Sequence, residues 1–138
     1  MRYLIWALVA LGTYTMVPPL MKVATAEIPS DVAALISNSV LVLVTVVAVV
    51  VNDESVVDHL AHPRAPYVYA AGIFLAVGIL SYYRALSMGP VSVVAPIFGM
   101  FIVTSSLVGI VFLNEAFTPR KGAGIALAVA AVYLTSVE

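Results

Sequence analysis

Polar and apolar positions divide the chain into five long apolar runs, separated by short stretches where charges, prolines and other polar residues gather. The runs lie near residues 3–23, 31–51, 66–88, 91–113 and 119–137. Each is close to the length of about 20 residues that one helix needs to cross a hydrocarbon layer about 30 Å thick. No run alternates with period two, and backbone amides in lipid must find partners within their own segment unless a barrel closes. The pattern therefore predicts five transmembrane helices. Their edges carry start signals: Ser30-Asp31 predicts a cap for the second, Pro66 suits the first turn of the third, and Thr118-Pro119 reads as a cap followed by proline.

Composition agrees, with 63% apolar and 9% charged residues against about 25% charged in an ordinary soluble domain. The fold class is an all-α integral membrane protein forming a single membrane domain over 1–138. The net charge of −1 says nothing about nucleic acid, but no basic run longer than Arg120-Lys121 exists to hold phosphates, so no nucleic-acid partner is expected. The absence of cysteine removes disulfides, thiolate chemistry and Cys-based metal sites. One long polar stretch, Asn52 to Arg64, carries three acids, two histidines and one arginine. It reads as a solvated loop, because His59, His62 and Asp58 on a loop lack the fixed third and fourth ligands that zinc needs. No Ser-His-Asp set, phosphate loop or intramembrane carboxylate pair occurs, so neither catalytic residues nor a cofactor or metal is expected. Arg2, the apolar run and Ala24-Thr25-Ala26 imitate a signal peptide, but the run exceeds the usual 7–15 or so residues and is interrupted by Pro18-Pro19 and Lys22. Retention as a membrane helix is expected.

Five spans place the termini on opposite sides. Arg2, Arg64, Arg120 and Lys121 then share one side against Lys22 and Arg84 on the other, a bias that predicts a cytoplasmic N-terminus in the plasma membrane. Arg84 lies about 27 Å along the third helix from Pro66, and Lys22 about 30 Å from Arg2, so both reach the far interface. There the long stems can snorkel at little cost. Two readings stay open: interfacial anchors, or the mouth of a solute cavity.

From Tyr82 onward the residues resemble a known family. Tyr82-Tyr83, Ala85-Leu86, Gly89-Pro90, Ala95-Pro96, Leu113-Asn114-Glu115, Thr118 and Gly124 are similar to the C-terminal part of an EamA-like half in the drug/metabolite transporter superfamily. The first helix matches more loosely, through Trp6, Gly12, Pro18-Pro19 and Lys22. The interval from Gly12 to Lys22 is longer than usual there, and Ala131 stands where a glycine is common. The resemblance implies one half of an inverted-repeat transporter: two five-helix halves, oppositely inserted, binding a small metabolite or drug-like solute near the midplane and working by alternating access. A single half then needs a partner, an antiparallel homodimer or a heterologous five-helix half. The charge bias speaks against free dual insertion. A flippase for lipid-linked or amphiphilic molecules and a non-transporting membrane subunit are the alternative classes.

The resemblance further implies a cavity built from the first, third and fourth helices. Tyr14, Pro18 and Lys22 share one face at four-residue spacing. Tyr82 and Arg84 lie near the end of the third helix, and Pro96, Met100 and Thr104 follow one another along the fourth. These eight are the expected substrate-binding residues, although ordinary packing or interfacial anchoring accounts for each. Asn38, flanked by Ser37 and Ser39, is expected to face protein as interhelical glue. Gly122, Ala126 and Ala130 form a small-residue row expected to serve as a packing or dimer seam. The first helix lacks an acid, and Glu115 is placed at the end of the fourth near Arg120 and Lys121, so coupling through a buried carboxylate is not expected. Lys22 and Arg84 together point to an anionic or zwitterionic solute.

Overall fold

The computed structural model describes residues 2–114 and 116–136; Glu115, placed above near Arg120 and Lys121, lies outside the described residues. All regular structure among the described residues is helical: α1 Arg2–Thr15, α2 Val17–Ala24, α3 Ser30–Val51, α4 Val57–Leu60, α5 Ala65–Met88, α6 Val91–Phe112 and α7 Pro119–Ser136. Four helical runs are long and apolar enough to cross a membrane: Tyr3–Ala24, which joins α1 and α2, then Ser30–Val51, Ala65–Met88 and Val91–Phe112. The chain is thus a multi-pass membrane protein. The fifth expected segment is occupied by α7, of 18 residues, which is not among those four. Arg120 and Lys121 in its first turn, with Gly122 and Gly124 just after, dilute its apolar character.

The chain falls into two compact units, Met1–Ser87 and Met88–Glu138. In the first, the opening span is broken at Met16, and the cause is covalent. Pro18 and Pro19 carry no N–H, so the carbonyls of Tyr14 and Thr15 lose their i+4 donors and the helix cannot continue through them. Met16 N–H donates to the Thr13 carbonyl at 3.2 Å, one residue tighter than the α-helical bond. A new two-turn helix then starts with proline in its first turn.

Apart from Ala65 at the start of α5, the buried side chains described in this unit gather at one end. Met21 on α2, Ala33 and Ala34 in the first turns of α3, and Tyr82, Tyr83 and Leu86 in the last turns of α5 are buried. Alternate passes bring those three helix ends to one side, and alanines at the start of α3 let backbones approach closely. Asn38 donates its amide to the Ala34 carbonyl at 2.8 Å, and the Ser37 hydroxyl donates to the same oxygen at 3.1 Å. The observed amide bond of Asn38 therefore runs within its own helix, where an interhelical one was expected.

Helix α3 ends in a full reversal. Asp53 N–H donates to the Val50 carbonyl at 3.2 Å and Glu54 N–H to the Val49 carbonyl at 3.1 Å, the paired bonds of a Schellman cap. Asp53 occupies the left-handed position with φ 56°, usually held by glycine. At its other end α3 starts at Ser30 after Pro29, without a side-chain cap bond. The expected Ser30-Asp31 cap is absent because the serine is already the first helical residue, while Asp31 faces the positive end of the helix dipole.

In the second unit α6 and α7 pack against each other. Thr118 caps α7 as expected, its hydroxyl accepting the Lys121 N–H at 3.3 Å, with Pro119 as first helical residue. Asn114, just past the end of α6, takes φ 55°, which asparagine tolerates better than most residues. On α7 the side toward α6 carries Lys121, Gly124, Ile125 and Ala128, spaced as one helical face. Ala126 and Ala130 lie on the exposed side, and Gly122 is half-buried.

Candidate functional site

The first unit brings together a site that starts from a covalent fact. In a continuing helix the Leu86 carbonyl would accept from the N–H of residue 90. Residue 90 is proline, which has none. Leu86 is 0% exposed, and an unpaired carbonyl in such surroundings is costly. Lys22 supplies the donor. Its Nζ donates to the Leu86 carbonyl at 2.8 Å and reaches the Ser87 carbonyl at 3.5 Å. Both oxygens belong to the last turn of α5, whose aligned peptide dipoles make that end negative, so the ammonium meets partial charge of the right sign.

The surrounding geometry holds Lys22 in place. The Thr25 hydroxyl donates to the Met21 carbonyl at 2.8 Å and Thr25 N–H to the same oxygen at 2.8 Å, closing the last turn of α2. Met21, Tyr82 and Tyr83 are buried in the same unit, and the two tyrosine rings lie 6.0 Å apart. Arg84 is exposed, and the Ser87 hydroxyl donates to its carbonyl at 2.7 Å. Tyr14 is exposed above the break and Pro18 is half-buried within it. Lys22 and the end of α5 are therefore joined directly, while Tyr14 stands two turns away.

In the second unit Pro96 lies inside α6 and frees the Ser92 carbonyl from its usual donor. Pro96 and Met100 are half-buried. The Thr104 hydroxyl donates back to the carbonyls of Met100 at 3.3 Å and Phe101 at 3.1 Å, a local bond that bends helices and keeps the hydroxyl satisfied in lipid.

Two hollows lie elsewhere. One, of ≈ 780 Å³, is in the first unit between the end of α3 and the start of α5, lined by Asp53, Glu54, His59 and Tyr69 among others. There the Tyr69 hydroxyl donates to the Leu60 carbonyl at 2.6 Å, and His59 Nδ1 bonds the Ser55 carbonyl at 2.7 Å. No group of three or more metal-ligating side chains is placed to hold an ion among the described residues. The second hollow, ≈ 350 Å³ between α6 and α7, is lined by Ile102, Val103, Ser106 and Lys121 among others. Neither hollow is lined by any of the eight expected solute residues.

The carbonyls of Leu86 and Ser87 were not foreseen from sequence. A signal existed: a proline four residues after a residue near a helix end marks an orphaned carbonyl, and Lys22 was already placed at the same interface.

Comparison with known proteins gives the family. A curated relative from a Sinorhizobium species, described as an uncharacterized transporter in the cobO 3′ region, is 31% identical over 134 residues, spanning 96% of this chain and 94% of the relative. No solved structure matches the chain. The EamA-like transporter family matches over residues 1–137; it is a family of transporters and not of enzymes. With a family match that runs through both compact units and a transporter relative covered over almost its whole length, the chain belongs to the EamA-like transporter family.

Proposed function

We propose that this protein carries small metabolites or drug-like solutes across the plasma membrane as a dimer of five-helix halves, alternating access around a central cavity. The observation that carries the reading is the family match over residues 1–137; we take the matched stretch as one half of a two-half transporter. A second observation supports a partner: only 6% to 11% of the most apolar stretch of each span is buried. The rest needs lipid or another protein surface to cover it.

The partner we propose is a second copy inserted in the opposite direction, with α7 as the fifth span and the N-terminus of one copy cytoplasmic. The solute contacts are drawn from Tyr14, Pro18, Tyr82, Arg84, Pro96, Met100 and Thr104. Of the two cations at the far interface, Arg84 is the one that meets an anionic or zwitterionic solute, because the Lys22 ammonium already bonds helix carbonyls.

Disulfide trapping in native membranes tests the dimer. The chain has no cysteine of its own, so Arg2→Cys and Glu138→Cys can be introduced singly and co-expressed. In an antiparallel pair the N-terminus of one copy shares a membrane side with the C-terminus of the other, and mixed crosslinks form. Crosslinks between like termini alone, or none, reject the self-sufficient homodimer and point to a heterologous half or a host complex.

A further inference from the structure

The bond between Lys22 and the end of α5 has a role that stands apart from solute recognition. Helix α2 is separated from α1 by the double proline, and the joint is bridged by one 3₁₀-type bond, Met16 N–H to the Thr13 carbonyl at 3.2 Å, and one α-type bond, Leu20 N–H to the Met16 carbonyl at 3.3 Å. At its other end it runs into the loop of residues 25–29. A two-turn helix of this kind is too short to keep its place by helix propensity, since isolated helices shorter than about 12 to 15 residues are marginal. Something must fix it. Lys22 sits in the last turn of α2, and its Nζ spans to two carbonyls of α5 at 2.8 and 3.5 Å. The bond links residues 64 apart in sequence and is stronger than a neutral one because the donor is charged.

In transporters with broken helices, half-helix C-terminal ends and unwound carbonyls coordinate Na⁺, and the C-terminal end of the unbroken α5 offers the same kind of oxygens. Here the carbonyls of Leu86 and Ser87 converge in the same way, and a side-chain ammonium occupies the place. We infer that Lys22 is a tethered cation: a positioning residue that fills a helix C-terminal cation site and thereby latches the short half-helix α2 to α5. Two consequences follow. Removing the ammonium releases α2 from α5, and it leaves a vacant carbonyl site that a free ammonium ion fits.

The test uses the full-length, cysteine-free chain with one reporter, Ser87→Cys, at a half-buried position beside the bond. The quantity read is the rate of maleimide labelling in detergent and again in liposomes. With Lys22 present, labelling is slow. Lys22→Ala accelerates it about tenfold or more, the fold-change expected when a hydrogen bond to a charged group is lost. Adding ethylammonium or propylammonium to Lys22→Ala returns the rate toward that of the parent. Tetramethylammonium, which has the charge but no N–H, does not. Lys22→Arg keeps the slow rate, because a guanidinium also donates to carbonyls.

A Lys22→Ala protein that labels at the parent rate overturns the latch. So does an acceleration that no ammonium ion reverses, which would mean that the lysine acts through general packing. Should Lys22→Ala not purify as a folded protein, Lys22→Arg and Lys22→Gln decide instead. Slow labelling in the first with fast labelling in the second upholds the inference, and equal rates in both reject it. Labelling does not depend on transport, so failure here is separable from failure of the transporter reading.

Discussion

The left-handed residue that closes α3 offers a direct measure of backbone strain. Asp53 sits at φ 56° while its N–H and that of Glu54 close the last turn onto Val50 and Val49. An L-residue in this region loses about 1 to 2 kcal/mol to the contact between its Cβ and the following carbonyl, with aspartate toward the lower end. Asp53→Gly removes that contact but adds chain entropy to the unfolded state, an offset of roughly 0.5 to 1 kcal/mol. A second contribution comes from charge. The carboxylate stands at the negative end of the helix dipole, an arrangement that costs about 0.3 kcal/mol at an exposed site screened by solvent. Asp53→Asn removes the charge and keeps a residue that tolerates the left-handed region, so it isolates this term. The expected order of stability is Asp53→Gly at or above Asp53→Asn, then the parent, then Asp53→Val, whose branched Cβ makes the strain worse by about 1 kcal/mol or more. Unfolding in mixed micelles, followed by helical circular dichroism at fixed detergent composition, gives the ranking. If Asp53→Gly and Asp53→Asn both lose stability, the carboxylate makes a contact that outweighs strain and dipole together, and the reasoning fails.

Further outcomes follow from other parts of the chain. Arg84→Ala is expected to reduce uptake of anionic solutes in proteoliposomes several-fold more than uptake of neutral ones; equal losses would remove arginine from solute recognition. Thr118→Ala deletes the hydroxyl that accepts the Lys121 N–H and should lower stability by about 1 kcal/mol, while Thr118→Ser should leave it nearly unchanged; the same melting assay decides. Gly122→Ala would place a Cβ 2.8 Å from the Phe117 ring tip. Phe117 is 61% exposed and can swing away, so the clash and the gain in helix propensity of about 1 kcal/mol offset each other. Stability within about 0.5 kcal/mol of the parent is expected, and a loss above that would show the ring is held.

Much of the helical layout is legible because lipid punishes exceptions. The polar edges at Ser30-Asp31, Pro66, Pro90 and Thr118-Pro119 lie where helices begin, since charges and prolines are tolerated only near span ends. The break at Met16 was harder to foresee. Pro18 was read as facing a cavity and Pro18-Pro19 as interrupting the apolar run, but two adjacent missing N–H groups do more: they separate the span into two helices. Asn38 is half-buried, and the bond its amide makes runs to its own backbone at 2.8 Å, because a polar side chain in a span can be satisfied on its own helix. The Lys22 bond was the least legible of all. Its two partners are main-chain oxygens, which carry no residue-type signature, and they lie 64 and 65 positions away. Of the two roles expected for the row Gly122, Ala126 and Ala130, packing within the chain is taken by the neighbouring face of α7, through Gly124, Ile125 and Ala128, and a dimer seam is left to the row itself, exposed at Ala126 and Ala130.

The separation of 64 residues between Lys22 and Leu86 also sets a clock for the newborn chain. At about 5 to 20 residues per second the ribosome needs roughly 3 to 13 s to bridge that interval. Throughout it α2 has been made while the carbonyls that will anchor its lysine have not. During those seconds the ammonium must rest among headgroups or water at the interface. The first two spans thus enter the bilayer as a provisional hairpin, and the third span completes them on arrival. A stall or truncation before Leu86 would leave a product whose first span is inserted but whose second half-helix has no fixed position, and this species is the one that quality-control proteases would meet.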